Sequence, residues 1–529
     1  MQKTISKIRL NFTFFILIFT FILFAFRAFY LHNNYEVKKR SNIATEKPRI
    51  DILDRNQEIL AANLVTYTLY AEPSNIRSLT KLIVDLKKLF PEQNWQNIFK
   101  RLSNKKIKGR VLLIRDLSPK QRFEVNNLGH VGLYFHEDNK RFYPHKNVIS
   151  HIIGYVDYEE KGLTGFEGYF DKKLAEKSTN NKIELSIDMR LQNIAHEELT
   201  NSVNKFRAKG GVVIIANVNN GEIYALVSNP DFNPYDPAKS LFDKNYNNKA
   251  SYGLYEMGST FKIFTMAQAI DKNLVNLEDK IDVSEDINIS GFRIKDFKRI
   301  KEEISLKDVF VRSSNIGTIE IVRRLSFDEQ KDFFNKLELF SPLDIELIEK
   351  SYSKIPSNWG LTRQMTASYG YGVTVSAIHL SQGVAAIVNG GKFRQFTIIK
   401  DKYKNNSKPE KRVISSETSE IIRSLMGEVV SKGTARRAKS SAYNIGGKTG
   451  SAHKIGIYGY DENRLLSSFI GVFPIERPEF LVYAFLDEPQ PFPGTNGYVT
   501  GGVTAAPLVK NIIEKIAPIY NIAPKTDYE

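Results

Sequence analysis

A lysine in the middle of an apolar helix is the feature of this sequence that most restricts its fold. The segment YEMGSTFKIFTMAQAI carries Lys262 three residues after Ser259, and apolar residues cover nearly every side of the predicted helix, which must therefore be buried. Positions i and i+3 share a helix face, so we expect Lys262 beside Ser259, where loss of water lowers the pKa of an ammonium group. A neutral lysine can take the proton of a serine hydroxyl and so activate it as a nucleophile.

Two further motifs favour a serine enzyme. The pattern S-x-x-K alone is weak, because SLTK at residues 78–81 and SNKK at residues 103–106 match it in ordinary polar surroundings. Downstream, an S-x-N motif is formed by Ser313, Ser314 and Asn315. The only K-T-G motif of the chain follows at Lys448, Thr449 and Gly450, and the next residue is Ser451. The order S-x-x-K, S-x-N, K-T-G is the signature of penicillin-interacting serine enzymes.

The S-x-N motif offers groups that acyl transfer through a serine ester requires. The Ser313 hydroxyl can relay a proton to or from the serine and lysine pair. The Asn315 amide can hold a peptide group of the substrate, because it both donates and accepts hydrogen bonds. We expect these residues in a loop between two helices.

The K-T-G motif suits recognition of a peptide that ends in a carboxylate. Lys448 supplies positive charge, and a strand edge at residues 449–451 can pair with an extended peptide while its hydroxyls hold the carboxylate. Gly450 lets a ligand approach the backbone. The N–H groups of Ser451 and Ser259 can form an oxyanion hole.

Composition excludes several other chemistries. The 529 residues include no cysteine, which rules out disulfides, thiol catalysis and cysteine-based metal sites. The formal net charge is +16, but the lysines are scattered and no zinc-finger, RNA-recognition or helix-turn-helix pattern occurs, so we expect no nucleic-acid partner. HEEL at residues 196–199 lacks the second histidine of a zinc-protease helix.

An uncharged N-terminal run predicts a membrane anchor. Residues 10–26 carry no charge, and the apolar character resumes after Arg27 as far as Leu31, close to the roughly 20 residues that cross a bilayer. The run is longer than the apolar part of a signal peptide, and no small-x-small cleavage site follows it, so we expect an uncleaved helix. Basic residues flank both ends, and the charge rule does not settle the orientation.

The rest of the chain predicts two kinds of domain. Strands at residues 67–71 and in GRVLLIRDL, with a helix opened by a capping box at residues 118–121, indicate an α+β module. A strand running into an amphipathic helix at residues 182–199 begins a second domain, followed by a hairpin whose turn lies at residues 219–221. A loop before a short helix is expected to contain Gly162, Gly165 and Glu167, and we expect these residues to have a turn-forming, structural role.

With these motifs in place, the chain resembles the class B penicillin-binding proteins, anchored D,D-transpeptidases that cross-link peptidoglycan. The form YEMGSTFK, with Glu and Met before the glycine, is most similar to the septal, FtsI-like branch. Other segments that resemble the family span nearly the whole chain: RIDILDRNQEILA at 49–61, GLTGFEGYF at 162–170, SIDMRLQ at 186–192, SYGYGVTVSAIHLSQGVAAIVNGGK at 368–392 and GGVTAAPL at 501–508.

The resemblance implies a multidomain fold with a single N-terminal transmembrane helix. The implied parts are a cytoplasmic tail and anchor (residues 1–32), an α+β pedestal domain of the dimerisation type (33–182), an α/β penicillin-binding transpeptidase domain (183–517) and a C-terminal tail (518–529). The transpeptidase domain would contain an antiparallel sheet flanked by helices, like the serine β-lactamases. The resemblance places this domain in the periplasm, with the anchor in the bacterial inner membrane.

The same resemblance implies a role for each motif residue. Ser259 is the nucleophile, Lys262 its general base, Ser313 the proton relay and Asn315 a substrate-orienting group, while Lys448, Thr449, Gly450 and Ser451 bind the carboxylate and oxyanion side. The donor is a stem peptide ending in D-Ala-D-Ala, and β-lactams acylate the same serine. The family implies no cofactor or metal, and it implies a polytopic septal glycosyltransferase and other division proteins as partners.

Three positions depart from the family pattern. Ile50 and Gln57 occupy the two glycine positions of the pedestal signature, so we expect its turns to be built differently. Ser451 stands where this branch usually has threonine, a change that keeps the hydroxyl and should be tolerated.

Three alternatives stay open. The chain could be the elongation-specific member of the same family. It could be a hydrolase, either a β-lactamase or a D,D-carboxypeptidase, although no E-x-x-x-N of the class A β-lactamase kind lies between Asn315 and Lys448. It could also be a non-catalytic scaffold of the division machinery or a β-lactam sensor.

Overall fold

A computed structural model describes the chain, which forms two compact units. The described residues are 14–27, 49–104, 106, 109–175, 182–237, 243–403, 411–456 and 459–525. The first unit takes in residues 67–114 and 130–138, and the second takes in residues 49–66, 115–129 and the chain from 139 onward. These units divide the chain differently from the boundaries expected at residues 32, 182 and 517, which stay a prediction.

Two amphipathic helices, Leu79–Leu89 and Trp95–Ser103, belong to the first unit. Ser78 begins the first of them by accepting a hydrogen bond from the Lys81 N–H, so SLTK is a helix cap here. Three strands belong partly to each unit and include both strands predicted for this region: Ile59–Ala71, Val111–Leu117 and Leu133–Phe142.

The predicted membrane anchor lies only partly within the described residues. Residues 14–27 are helical, and the ends of the predicted span at residues 10–13 and 28–31 are not described. Within the described ranges, no helix combines the length and apolar character needed to cross a membrane. The anchor stays a prediction.

The second unit begins with short elements around the pedestal signature. Strand Asp51–Leu53 pairs in parallel with Lys182–Glu184, and helix Pro119–Asn127 opens with the predicted capping box. The signature turn is tight, because the Asp54 carboxylate accepts the N–H groups of Asn56 and Glu58. Gln57 adopts the left-handed φ of +71° that favours glycine. Glutamine thus adopts a conformation that glycine takes up more easily, and the expectation of a differently built turn stays a prediction.

A buried ion cluster surrounds Glu167. This carboxylate is fully buried and pairs with Arg49 at 2.7 Å and with Arg141 at 2.6 Å. Arg49 also pairs with Asp171 at 2.9 Å. Glu167 lies inside the helix Gly165–Tyr169 and not in the loop before it. Its structural role is thus a charge-neutralising contact in the interior, and not the turn-forming role that was predicted.

A five-stranded antiparallel sheet organises the second unit. Its spatial order is Gly446–Gly456, Gly459–Phe473, Phe480–Asp487, Gly210–Asn217 and Ile223–Asn229. The last two strands are the predicted hairpin. Every residue of Phe480–Asp487 is buried, so helices cover both faces of the sheet. The strand that carries K-T-G lies at an edge, as predicted for a strand that receives an extended peptide.

Two layers of helices pack on this sheet. Helices Met189–Lys205 and Ala505–Ile516 contact each other and the sheet, and Lys262–Asp271, Ala377–Val388 and Ser416–Ser431 form a second group. The remaining described α-helices of this unit are Ser150–Ile153, Asp171–Ala175, Leu306–Arg312, Asn315–Val322, Phe327–Lys336 and Leu361–Ser368. Its remaining short strands are Lys280–Asp282, Ile287–Ile289, Phe292–Ile294, Glu303–Ser305, Lys392–Phe393 and Lys411–Arg412.

The Glu167 cluster yields a stability prediction. Glu167→Gln removes the charge that neutralises Arg49 and Arg141, and breaking a buried pair typically costs about 3–5 kcal/mol. We expect a clear loss of unfolding free energy in urea at pH 7. Glu462→Gln is the control, because Glu462 is exposed and makes no ion pair within the described chain. Equal unfolding midpoints for the two variants would contradict the structural role of Glu167.

Candidate active site

Lys262 is removed from solvent, as the sequence predicts. A single 3₁₀ turn, Gly258–Phe261, leads into the helix Lys262–Asp271, and nine of the ten residues of that helix are buried. Only 1% of Lys262 is exposed, whereas Ser259 is half-buried. Ser259 therefore has access to solvent, whereas Lys262 does not.

The Lys262 ammonium donates to the S-x-N motif. Its Nζ lies 2.6 Å from the Ser313 carbonyl oxygen, 3.2 Å from the Ser313 hydroxyl and 2.7 Å from Asn315 Oδ1. The predicted convergence of the first two motifs is present in this geometry. A hydrogen bond between the side chains of Ser259 and Lys262 is not found in the described part of the chain, so that contact stays a prediction.

Burial tunes the basicity of Lys262. Desolvation lowers its pKa to about 7, and the nearby negative charge of Asp296 opposes that shift in part. An amine with this pKa is substantially unprotonated near neutral pH, which is the state that a general base needs.

The backbone at Ser313 is held in an unusual conformation. Ser313 ends the helix Leu306–Arg312 with a left-handed φ of +62°, uncommon for a residue with a side chain. In this conformation both its carbonyl oxygen and its hydroxyl reach Lys262. Strained backbone of this kind persists where the surroundings fix it and often marks a functional site.

Asp296 fixes the S-x-N motif and was not identified from the sequence. Its carboxylate accepts the Ser314 hydroxyl at 2.6 Å, the Ile316 N–H at 3.2 Å and the Asn315 N–H. It therefore caps the helix that begins at Asn315 and supplies negative charge near Lys262. No local pattern marks this aspartate, because its partners lie about twenty residues further along the chain.

Lys448 also donates a hydrogen bond to the Ser313 hydroxyl. Its Nζ lies 2.8 Å from Ser313 Oγ and 3.4 Å from the Thr449 carbonyl oxygen, and its side chain is fully buried. Its pKa is well below the ordinary lysine value, first because of burial and second because of repulsion from Lys262. Two lysines thus share one serine hydroxyl in a space with little water.

Glycines press the 258–261 turn against the K-T-G strand. A Cβ on Gly258 would stand 2.6 Å from the Ser451 carbonyl oxygen, and one on Gly450 would stand 2.8 Å from the Met257 carbonyl oxygen. The close approach at Gly450, predicted for a ligand, is thus also made by the protein itself. Gly370 supports the other side of the turn by accepting the Gly258 N–H at 3.1 Å.

The flank of the site is held by Glu256. Its carboxylate accepts the Gly372 N–H at 2.6 Å and the Tyr460 hydroxyl at 3.0 Å. The hydroxyl of Tyr371, the residue before Gly372, accepts the His453 N–H at 3.1 Å. Tyr460 and His453 were not identified from the sequence, whereas Glu256 and Tyr371 lie in two segments that resemble the family.

The site brings together side chains that are suited to acyl transfer through a serine ester. In the portion that the structure describes, no group of three or more His, Asp or Glu residues is arranged to hold a metal ion. A half-buried serine precedes a desolvated amine by three residues, and the site also contains a shared hydroxyl and an edge strand with two hydroxyl side chains. That arrangement can form an ester on the serine and bind an anionic peptide end beside it.

Comparison with known proteins agrees with this geometry. The family model of the penicillin binding protein transpeptidase domain matches residues 211–514, and that of the penicillin-binding protein dimerisation domain matches residues 44–202. A probable peptidoglycan D,D-transpeptidase FtsI of Caulobacter vibrioides is 32% identical over 91% of this chain and 83% of its own. Stage V sporulation protein D of Bacillus subtilis is 31% identical over 92% and 80%, and the FtsI of Escherichia coli is 25% identical over 89% and 84%. The chain belongs to the class B penicillin-binding proteins, with a dimerisation domain, a transpeptidase domain and an FtsI-like sequence.

Proposed function

We propose that this protein is a serine-type peptidoglycan D,D-transpeptidase that cross-links stem peptides during septal wall synthesis and is inhibited by β-lactams. The observation that carries the proposal is the convergence of buried Lys262 and buried Lys448 on the Ser313 hydroxyl, behind the turn that holds Ser259. The names of the FtsI relatives support the same activity.

In the acylation step, neutral Lys262 takes the proton of the Ser259 hydroxyl. Ser259 Oγ attacks the carbonyl carbon of the penultimate D-alanine, and the Ser259 and Ser451 N–H groups stabilise the oxyanion. The C–N bond to the terminal D-alanine then breaks. The Ser313 hydroxyl, in contact with both lysines, relays a proton to the departing amine.

In the transfer step, a side-chain amine of a second stem peptide attacks the ester. A new amide C–N bond forms, the Ser259 ester bond breaks, and the proton lost by the amine returns to Ser259 by the same relay. Before acylation, Asn315 orients the donor peptide, while the hydroxyls of Thr449 and Ser451 hold the carboxylate of its terminal D-alanine. That carboxylate supplies the negative charge that favours the protonated form of Lys448.

The setting of this reaction is proposed with it. The chain is anchored in the bacterial inner membrane by one helix, and the transpeptidase domain (183–517) stands in the periplasm on its pedestal domain (33–182). A polytopic glycosyltransferase and other division proteins are the proposed partners. These assignments rest on the uncharged run at residues 10–26 and on the family resemblance.

Acylation by a fluorescent penicillin tests the proposal directly. We expect mass spectrometry of the labelled protein to locate the adduct on Ser259. Ser259→Ala should lower labelling by more than about 10³-fold, because the nucleophile is lost. Ser103→Ala is the matched control, since SNKK has the same S-x-x-K pattern without the site. A label on another residue would overturn the assignment, and rapid release of the penicilloyl group would favour the hydrolase alternative.

The pH dependence of acylation tests Lys262 as the base. Acylation should rise as pH increases through about 7 and then level off, because the amine must lose its proton. Asp296→Asn removes the charge that raises the pKa of Lys262, so the midpoint should move to lower pH. Asp282→Asn, at an exposed carboxylate bonded to Ser284, should leave the midpoint in place. A midpoint that stays in place in Asp296→Asn would argue against Lys262.

Depletion of the protein in its own cells distinguishes the septal role from the alternatives. Loss of septal cross-linking should give filaments, which re-expression of Ser103→Ala should reverse and Ser259→Ala should not. Rounded cells would instead favour the elongation-specific role. Rescue by Ser259→Ala would favour the non-catalytic scaffold or sensor.

A further inference from the structure

A threonine outside the three motifs contacts the K-T-G strand. Thr434 follows the helix Ser416–Ser431, and its hydroxyl oxygen lies 2.8 Å from Thr449 Oγ1. Thr434 is exposed, whereas Thr449 is 7% exposed. The pair therefore joins a solvent-facing hydroxyl to the hydroxyl that the proposed mechanism uses to hold a carboxylate.

The backbone that carries Thr434 is fixed by close packing. The Ala435 N–H donates to the Val429 carbonyl oxygen at 3.1 Å, which folds the loop back onto its helix. A Cβ on Gly433 would stand 2.6 Å from the Val311 carbonyl oxygen, and one on Gly502 would stand 2.2 Å from that of Thr434. Glycine is thus needed on both sides for this loop to reach the edge strand.

Counting hydroxyl protons indicates what this contact provides. Each hydroxyl has one proton to donate. Thr434 and Thr449 share one hydrogen bond between them, so one proton of the pair is left over whichever residue donates. Ser451 Oγ accepts the Gly501 N–H at 3.2 Å, which leaves the Ser451 proton available as well. Two hydroxyl protons therefore remain among Thr434, Thr449 and Ser451, and an anion can accept both.

We propose that Thr434 is a positioning residue for the terminal carboxylate of the donor peptide. Its hydroxyl restricts the rotation of the Thr449 side chain, so that the donors of the strand are already oriented when the carboxylate arrives. The inference rests on the proposed function, because it concerns how that same site recognises its substrate. A purely structural threonine would stabilise the loop and would not distinguish charged from neutral ligands.

The experiment measures the rate constant for acylation of the full chain by a penicillin and by its uncharged methyl ester. Thr434→Val, which keeps the shape and removes the hydroxyl, should slow acylation by the acid about tenfold and leave the ester unchanged, because the Thr449 hydroxyl is no longer held in place for the carboxylate. Thr434→Ala should show the same selective loss. Thr434→Ser should retain the wild-type rates.

Thr362→Val is the matched control, because the Thr362 hydroxyl forms a similar surface pair, 2.8 Å from Ser290 Oγ. It should change neither rate. Equal slowing of acid and ester in Thr434→Val and Thr434→Ala, or no slowing, would overturn the role of Thr434 while leaving the proposed function intact. Wild-type protein that neither ligand acylates would instead refute the proposed function.

Discussion

The site depends on the burial of two lysine side chains, both of which contact one serine hydroxyl. Lys262 and Lys448 are both buried and both donate to Ser313 Oγ, at 3.2 and 2.8 Å. Two full positive charges at this spacing in a poorly solvated space repel each other strongly. Loss of a proton relieves that repulsion, and burial favours the neutral form of both amines. The shared hydroxyl is then the natural route for a proton between the two sides.

This arrangement has a cost that the rest of the fold must offset. The pKa of Lys262 is about 7 in the folded chain and near 10.5 when the side chain is solvated. Between these values the unfolded chain binds more protons, so the contribution of Lys262 to stability is least favourable below pH 7 and improves as pH rises toward 10.5. The fully buried strand Phe480–Asp487 and the helices packed around it supply the apolar burial that tolerates such a residue.

The features that could be predicted from the sequence are those that depend on residues close together in the chain. The burial of Lys262 follows from the apolar residues around it, and the hairpin of Gly210–Asn217 and Ile223–Asn229 follows from two apolar runs about a turn. The S-x-N and K-T-G motifs were found as patterns, and the structure brings both to Lys262. Asp296 and Thr434 could not be found this way, because each acts on a partner in another element and neither stands in a distinctive local pattern. Glu167 was assigned to a turn, since nothing near it in the sequence announces Arg49 or Arg141.

Close backbone contacts join these local patterns into one site. Gly258 and Gly450 let the turn that carries Ser259 lie against the strand that carries Lys448, and Gly370 supports that turn from the far side. A Cβ at Gly258 or Gly450 would clash with the backbone across this contact, and one at Gly370 would clash with Gly258 itself. The glycines of the motifs therefore determine distance as much as conformation. Recognition of the donor peptide and attack on its carbonyl are coupled, because the carboxylate-binding strand and the serine are held together by backbone atoms.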